Sequence, residues 1–288
     1  MATELRLRLM TRDDIPLGME LKTYAGWNQT EADWRRFLEL APQGCFVAEW
    51  RGRGVGTAVA VAFEGKVGWL AMVLVHPEFR RRGIGTRLLQ QGIGHLEQRG
   101  VVGIKLDATP LGKKVYDRLG FVEEYPVERW QGWGRPMSLP VASPEVRPMK
   151  AGDLPAVVAF DRPCYGADRG RLLASIYRDC PEHAYLCGTD EEPLRGYALV
   201  RPGTQAWHLA PSVAMDPEAA EGLLRAVLNG LADQPIFWDL VGPNPWSWEL
   251  AKRYGFTRQR SFTRMVRGAN PFPGRPELIY ATSGPELG

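Results

Sequence analysis

The chain has 288 residues, of which 44% are hydrophobic and 24% charged, which is ordinary for a globular protein and excludes disorder over most of the length. The net charge of +3 is small and charges of both signs alternate, so no basic stripe indicates a nucleic-acid partner. Because the chain has no run of 18 apolar residues, no signal-like start and no CxxC pair, we expect a cytoplasmic protein with no membrane partner.

The first part of the chain predicts alternating strands and helices. Apolar runs and alternation predict strands, whereas apolar residues three and four apart predict a helix face. In chain order the predicted elements are strands at 46–49, 56–63 and 67–75, a helix at 84–98, a strand at 101–106, and a helix at 111–119 ended by Gly120. This succession indicates a three-layer domain of the α/β or mixed α+β class.

The chain also contains an internal repeat. Residues 148–155 resemble residues 9–16, with Met, Asp and Pro recurring at an offset of 139, and the Gly-Phe pair at 120–121 recurs at 255–256. The constant order of these matches indicates two copies of one unit of about 140 residues. Because residues 132–144 are rich in Gly, Pro and Ser, we predict domains at 1–134 and 145–288 joined by a linker at 135–144.

The segment from His76 to Thr86 is the part of the first copy that carries chemistry. It reads His-Pro-Glu-Phe-Arg-Arg-Arg-Gly-Ile-Gly-Thr between a predicted strand and a predicted helix. A glycine-bearing turn that opens a helix leaves backbone N–H groups free, and the helix dipole adds positive charge there. The segment therefore suits a phosphate or pyrophosphate, although it has neither the Walker ending nor the dinucleotide spacing.

This segment resembles the coenzyme-A signature of the GNAT superfamily of N-acyltransferases, Q/R-x-x-G-x-G/A, in Arg80, Gly83 and Gly85. Val75-His76-Pro77 matches the V-x-P that precedes it in the family, and Tyr116 to Phe121 matches the Y-x-x-x-G-F ending. The resemblance covers most of residues 4–131. It departs from the family at Thr109, where an Asn often stands. It implies that each domain has a mixed, mostly antiparallel sheet flanked by helices.

The resemblance also implies an N-acetyltransferase that uses acetyl-CoA and moves the acetyl group directly to an amine. Tyr116 would be the catalytic acid that protonates the leaving thiolate, and a backbone N–H near Val75 would polarise the thioester carbonyl. No carboxylate or histidine stands out as the base for the amine. The implied coenzyme-binding residues are Val73, Leu74, Val75, Arg80, Arg81, Arg82, Gly83, Ile84, Gly85, Thr86 and Thr109.

Trp27, Asn28 and Gln29 are the candidate acceptor-binding residues. They lie where the acceptor-lining helices of the family connect, and they combine an aromatic ring with amide groups. The alternative is a helix-joining loop in which Asn28 or Thr30 caps a helix. The acceptor itself stays open among a small primary amine, an amino-acid derivative, an antibiotic and a protein N-terminus, with a small molecule favoured.

The second copy lacks the coenzyme motif. At the position of the Arg-rich loop it reads Asp216-Pro217-Glu218, and Ala251 stands where the first copy has Tyr116. We therefore expect a degenerate GNAT-like domain that walls off the acceptor site or forms a homodimer contact. His183, His208 and the dispersed cysteines have no metal-ligand spacing, so no metal is predicted. We assign no function to residues 268–288.

Two other function classes remain as alternatives. A non-catalytic coenzyme-A sensor could be built on the same fold, but it would not need the Tyr116 hydroxyl. A scaffold or nucleic-acid module driven by arginine charge is disfavoured, because the charges are scattered along the chain.

Overall fold

The first half of the chain forms strands and helices close to the predicted positions in a computed structural model that describes residues 4–137, 146–189 and 193–288. Its elements are β1 (Leu5–Leu9), α1 (Ile15–Tyr24), α2 (Glu31–Leu40), β2 (Cys45–Trp50), β3 (Arg53–Phe63), β4 (Val67–Val75), α3 (Ile84–Gln98), β5 (Gly103–Ala108), α4 (Pro110–Arg118) and β6 (Val122–Trp133). The turn between β2 and β3 is only two residues long, because Arg51 and Gly52 both have positive φ and β3 already pairs with β2 at Arg53. β3 therefore begins at Arg53, earlier than the predicted start at 56.

The second half repeats this order of elements. They are β7 (Val146–Pro148), α5 (Leu154–Tyr165), α6 (Gly170–Asp179), β8 (Tyr185–Cys187), β9 (Gly196–Arg201), β10 (Trp207–Ala214), α7 (Pro217–Gly230), β11 (Pro235–Val241), α8 (Pro245–Arg253), β12 (Thr257–Gly268) and β13 (Ile279–Ala281). The ion pair between Arg8 and Asp14 recurs as Arg147 and Asp153, so the repeat extends to side-chain contacts. Residues 138–144 of the predicted linker lie outside the described residues.

The two halves share one continuous sheet, although the sequence predicts a sheet for each. The strand order is β1-β2-β3-β4-β5-β12-β6-β11-β10-β9-β8-β7, with β13 paired to β10. β12 of the second half pairs with β5 of the first, and β6 of the first half pairs with β11 of the second. Each half therefore completes its sheet with the last long strand of the other half.

Helices cover both faces of this mixed, mostly antiparallel sheet. On one face α1, α2, α5 and α6 share a single apolar core that crosses the boundary between the halves. On the other face α3 packs over the first half, and α7 and α8 pack over the second. Across the described residues, no helix combines the length and the apolar character needed to cross a membrane.

A V-shaped cleft opens within the sheet of each half. β4 and β5 pair in parallel only where Val67–Trp69 of β4 lies beside Gly103–Lys105 of β5. Beyond that point the two strands separate. β10 and β11 pair over an equally short stretch and then diverge. The cleft of the first half is where the predicted site residues lie.

Candidate active site

The loop between β4 and α3 forms one wall of a groove on the first half, here called the loop groove. Its lining residues are Val73, Val75, Phe79, Arg80, Arg81, Gly83, Ile84, Gly85, Thr86, Leu89, Gly112, Val115 and Tyr116. Arg81 and Gly83 have φ of 62° and 77°, which turns the backbone sharply just before the helix. Such alternating backbone conformations point successive N–H groups toward one spot and create an anion site.

The start of α3 adds further donors to the loop groove. The N–H of Arg87 bonds to the Gly83 carbonyl at 3.1 Å, so the helical ladder begins there and the N–H groups of the first turn have no partner within the helix. The Arg80 side chain donates from Nε to the Val75 carbonyl at 3.0 Å, which ties the loop to β4. A Cβ atom built on Gly83 would have no heavy atom within 4 Å, so the space above it is open to a ligand.

A second pocket, here called the inner pocket, lies in the opening between β4 and β5. Its lining residues are Trp27, Gln29, Leu70, Ala71, Met72, Val73, Asp107, Thr109, Tyr116, Arg129, Arg260, Phe262, Pro285 and Glu286. It has about 610 Å³ of free space, including the open solvent at its mouth. The walls are largely aromatic and apolar, with a few polar groups among them.

Val73 and Tyr116 are the two residues that line both the loop groove and the inner pocket. They therefore mark the place where a ligand in one could meet a ligand in the other. The Tyr116 ring packs edge-on against Phe121, and its hydroxyl has no hydrogen-bond partner among the described residues. Burial raises the pKa of Tyr116 to about 12, because the phenolate would lose its hydration. The hydroxyl thus stays protonated at neutral pH and is able to donate.

The backbone of β4 also presents a hydrogen-bond donor to the place where the loop groove meets the inner pocket, here called the junction. The N–H of His76 bonds to the Val55 carbonyl of the β3 edge at 2.8 Å. Since successive N–H groups of a strand point to opposite edges, the Val75 N–H points away from β3 and toward the cleft. This is the group that the sequence predicts next to a thioester carbonyl.

Two charged residues of the inner pocket are already neutralised by bidentate partners. Asp107 accepts two hydrogen bonds of 2.8 Å from Arg264, and Arg129 donates two of 2.8 Å to Asp239. Bidentate guanidinium–carboxylate pairs of this kind fix both partners in position. Asp107 is therefore engaged in holding β5 to β12.

The segment after β13 brings Pro285 and Glu286 to the inner pocket, which the sequence does not predict. Trp69 donates from its indole nitrogen to the Pro285 carbonyl at 3.1 Å, and Glu286 pairs with Arg201. Gly284 has φ of 100°, and a Cβ there would lie 2.9 Å from the Glu286 carboxylate oxygens. In the sequence, these residues belong to a Gly-Pro-Glu segment without the hydrophobic periodicity that would place it in a helix or strand, so their position at the pocket was not predictable.

Most predicted site residues lie around these two cavities, but three do not line either. The Leu74 side chain is buried in the apolar core, and Arg82 stacks over the rings of Trp50 and Phe79 at 5.3 and 5.5 Å. The third is Asn28. Thr109 lines the inner pocket and also caps α4, because its hydroxyl accepts from the Gly112 N–H at 3.2 Å.

Asn28 joins the two halves of the chain instead of facing the pocket. Its side chain accepts from the N–H groups of Gln205 and Ala206 at 2.9 and 3.2 Å and donates to the Ala206 carbonyl at 2.9 Å. The residue is 1% exposed and both polar atoms of its side chain are hydrogen-bonded to the second half, whereas the neighbouring Trp27 and Gln29 line the inner pocket.

We expect Asn28→Ala to lower the free energy of unfolding by roughly 1–3 kcal/mol, because buried backbone groups of the second half lose their partners. Urea unfolding measures this change. Gln205→Ala removes an exposed amide from the same contact and serves as the control, with a much smaller effect expected. An unchanged unfolding midpoint for Asn28→Ala would contradict the bridging role.

The corresponding cleft of the second half is filled by its own chain. β13 pairs with β10 at Ser212 and Val213, along the edge that faces the opening. The connection from β10 to α7 consists only of Met215 and Asp216, and the Asp216 carboxylate accepts from the Ala219 N–H at 2.9 Å. A carboxylate thus occupies the helix start where the first half has its open loop.

Comparisons with known proteins give family matches in both halves of the chain. Residues 16–121 match the model described as "Acetyltransferase (GNAT) family", and residues 157–281 match a model described as "Acetyltransferase (GNAT) domain". The chain is a tandem GNAT acetyltransferase. The prediction of this family, of its fold class and of a transferase is confirmed. Membership implies an acyl-CoA donor and N-acyl transfer.

Proteins of similar length match both halves of this chain. A holothin acyltransferase of a Pseudoalteromonas strain is 24% identical over 91% of this chain and 87% of its own. A putative acetyltransferase from Pyrococcus horikoshii has a similar structure, with a TM-score of 0.83, 24% identity, and 100% and 97% of the two chains covered. A tandem GNAT protein from the clavulanic acid biosynthesis pathway has a TM-score of 0.66 at 14% identity, with 93% and 99% covered.

Proposed function

We propose that this tandem GNAT protein is an acetyl-CoA-dependent N-acetyltransferase whose single active site lies in the first half and acts on a small-molecule amine. The observation that carries the proposal is that Val73 and Tyr116 line both the loop groove and the inner pocket. A donor in the groove and an acceptor in the pocket would meet at these two residues. The inner pocket is concave and mostly apolar with a few polar groups, which favours a small acceptor over a protein surface.

The residues of the loop groove fit a coenzyme that carries a pyrophosphate. The turn through Arg81 and Gly83 and the free first turn of α3 supply the N–H donors, and the open space above Gly83 admits the phosphates. The unpaired edge of β4 from Val73 to Val75 offers backbone groups to an extended arm. Bound acetyl-CoA would supply an activated acyl group on a thioester.

The proposed chemistry assigns one step to each residue at the junction. The Val75 N–H would stabilise negative charge on the carbonyl oxygen. The amine nitrogen forms a bond to the carbonyl carbon as the carbon–sulfur bond breaks, and Tyr116 gives its proton to the departing sulfur. The proton that the amine loses restores the Tyr116 phenol through solvent, so atoms and charges balance.

We further propose that the second half binds no coenzyme. Pairing of β13 with β10 takes up the strand edge that is open in the first half, and Asp216 places negative charge at the start of α7. Because β6 and β12 are exchanged between the halves, this proposal is tested on the full chain and not on a fragment.

We expect titration of the full chain with acetyl-CoA in a calorimeter to give one binding site per chain. A stoichiometry of two would contradict the proposal for the second half. The same preparation, assayed for thiol release, should turn over acetyl-CoA only when an amine is added. Binding without amine-dependent thiol release would favour the coenzyme-A sensor.

A further inference from the structure

The charged groups of the inner pocket are not all paired. Arg129 and Asp107 have bidentate partners outside the pocket, as described above. Arg260 is half-buried, and its guanidinium donates hydrogen bonds to the Gln259 side chain and the Gly26 carbonyl; among the described residues no carboxylate lies within ion-pair distance of it. A partly buried guanidinium without a counterion loses hydration without compensation, so it favours an anion beside it.

Glu286 is a carboxylate of the inner pocket with one oxygen that lacks a hydrogen-bond donor within the described ranges. Its side chain is buried, with 2% of the residue exposed, and one carboxylate oxygen pairs with Arg201. The other oxygen, Oε2, is buried without a hydrogen-bond partner in the part of the chain that the structure describes. Gln29 also lines the pocket, and its side-chain oxygen is likewise buried without a hydrogen-bond partner among the described residues. Buried acceptors of this kind are satisfied by a donor such as an amine.

An ion-pair network holds Glu286 in position. It contains four carboxylates and three guanidiniums, which are Asp33, Asp179, Asp239 and Glu286 with Arg36, Arg129 and Arg201. His208 links two of these groups, and burial lowers its pKa, so it remains neutral. Glu286 is the carboxylate of this network that lines the pocket.

We propose that the acceptor is an amine that also carries an anionic group, with the amine directed to Glu286 and Gln29 and the anionic group to Arg260. This inference rests on the proposed function. Arg260 lies on β12 and Glu286 follows β13, so two of the three recognition residues come from the second half of the chain, and Gln29 comes from the first. The second half thus contributes to the choice of the amine that the first half acetylates.

The test compares matched amines that differ in one group. 4-Aminobutyrate, 4-aminobutyramide and 1,4-diaminobutane carry a carboxylate, a neutral amide and an ammonium on the same chain, and phenylalanine with phenylalaninamide gives a bulkier pair. We expect the wild type to prefer the carboxylate member of each set by about tenfold or more in kcat/KM. Binding of the same compounds to the chain saturated with coenzyme A, measured by calorimetry, should show the same order without any turnover.

Arg260→Gln should remove this preference mainly by raising the acceptor KM, with the affinity for acetyl-CoA unchanged. Arg258→Gln is the matched control, because Arg258 lies on the same strand but is exposed and pairs with Glu128. Glu286→Gln keeps the size of the side chain and should weaken binding of every amine in the panel. Its affinity for acetyl-CoA shows whether the variant is folded.

Equal kcat/KM values within each set would overturn this inference, and so would a preference that persists in Arg260→Gln. If the enzyme still acetylates amines in that case, the proposed function stands. Absence of acetyl-CoA binding, or of transfer to any amine, would instead overturn the proposed function together with this inference.

Discussion

Gly83→Glu is expected to abolish coenzyme binding, with the affinity for acetyl-CoA falling at least about 100-fold, which corresponds to roughly 3 kcal/mol. Gly83 has φ of 77°, a conformation that a residue with a Cβ adopts only at a cost. The new side chain would enter the open space of the loop groove and place a carboxylate among the N–H donors. Like charges would then meet where the pyrophosphate is proposed to bind. Calorimetry with acetyl-CoA measures the loss.

Gly100→Glu is the matched control for this experiment. Gly100 has φ of 74°, is exposed, and also has no heavy atom within 4 Å of a Cβ position. Gly100 follows the C-terminal end of α3, opposite to the loop groove. The Gly100→Glu substitution therefore introduces the same backbone strain and the same charge, but away from the groove. Retained binding in Gly83→Glu, or equal loss in both variants, would show that the loop is not the coenzyme site. Residual binding to one site in Gly83→Glu would point to the second half.

The elements of the first half could be predicted because their sequence patterns are local. The bounds of β4 and α3 agree with the prediction, since an apolar run and an amphipathic period are visible within 9 and 15 residues. β3 begins earlier than predicted because the turn through Arg51 and Gly52 is only two residues long, and glycines in the strand conceal its start. The loop between β4 and α3 was equally predictable, since its residues are contiguous in sequence.

The exchange of β6 and β12 was not predictable from the same patterns. Alternation along a strand indicates which residues face the core, but it does not identify the strand alongside. β6 pairs with β11 and β12, so both of its edges are covered by the second half. The family resemblance implies one sheet in each domain, and that is where the structure differs.

The inner pocket was predicted only in part for the same reason. Trp27 and Gln29 come from a loop whose position the family resemblance indicates, whereas Arg260 and Glu286 reach the pocket through long-range contacts. Asn28 lies between two pocket residues in sequence but faces Gln205 and Ala206, because successive residues of an extended loop point in different directions. Sequence proximity therefore located the loop but not the orientation of its side chains.

Tyr116→Phe is expected to lower kcat by about 100-fold or more, which is the usual size of a lost proton donor, with little change in the KM for acetyl-CoA. The phenylalanine ring keeps the edge-on contact with Phe121, so the groove retains its shape. Tyr177→Phe removes another half-buried hydroxyl, on α6, and should leave kcat unchanged. A Tyr116→Phe variant with wild-type kcat would show that the thiolate leaves without help from this residue.

The pH dependence of the wild type gives an independent test of the same role. Burial raises the pKa of Tyr116 to about 12, so the protonated, donating form is present throughout the neutral and moderately alkaline range. Loss of the donor would begin only as pH approaches that value, and no alkaline decline assignable to Tyr116 is expected below about pH 11. A tyrosinate acting as a base would instead give activity that rises with pH up to the pKa. Rates of the wild type and of Tyr116→Phe between pH 6 and about 10 should therefore keep a constant ratio, because the residue that differs does not titrate there.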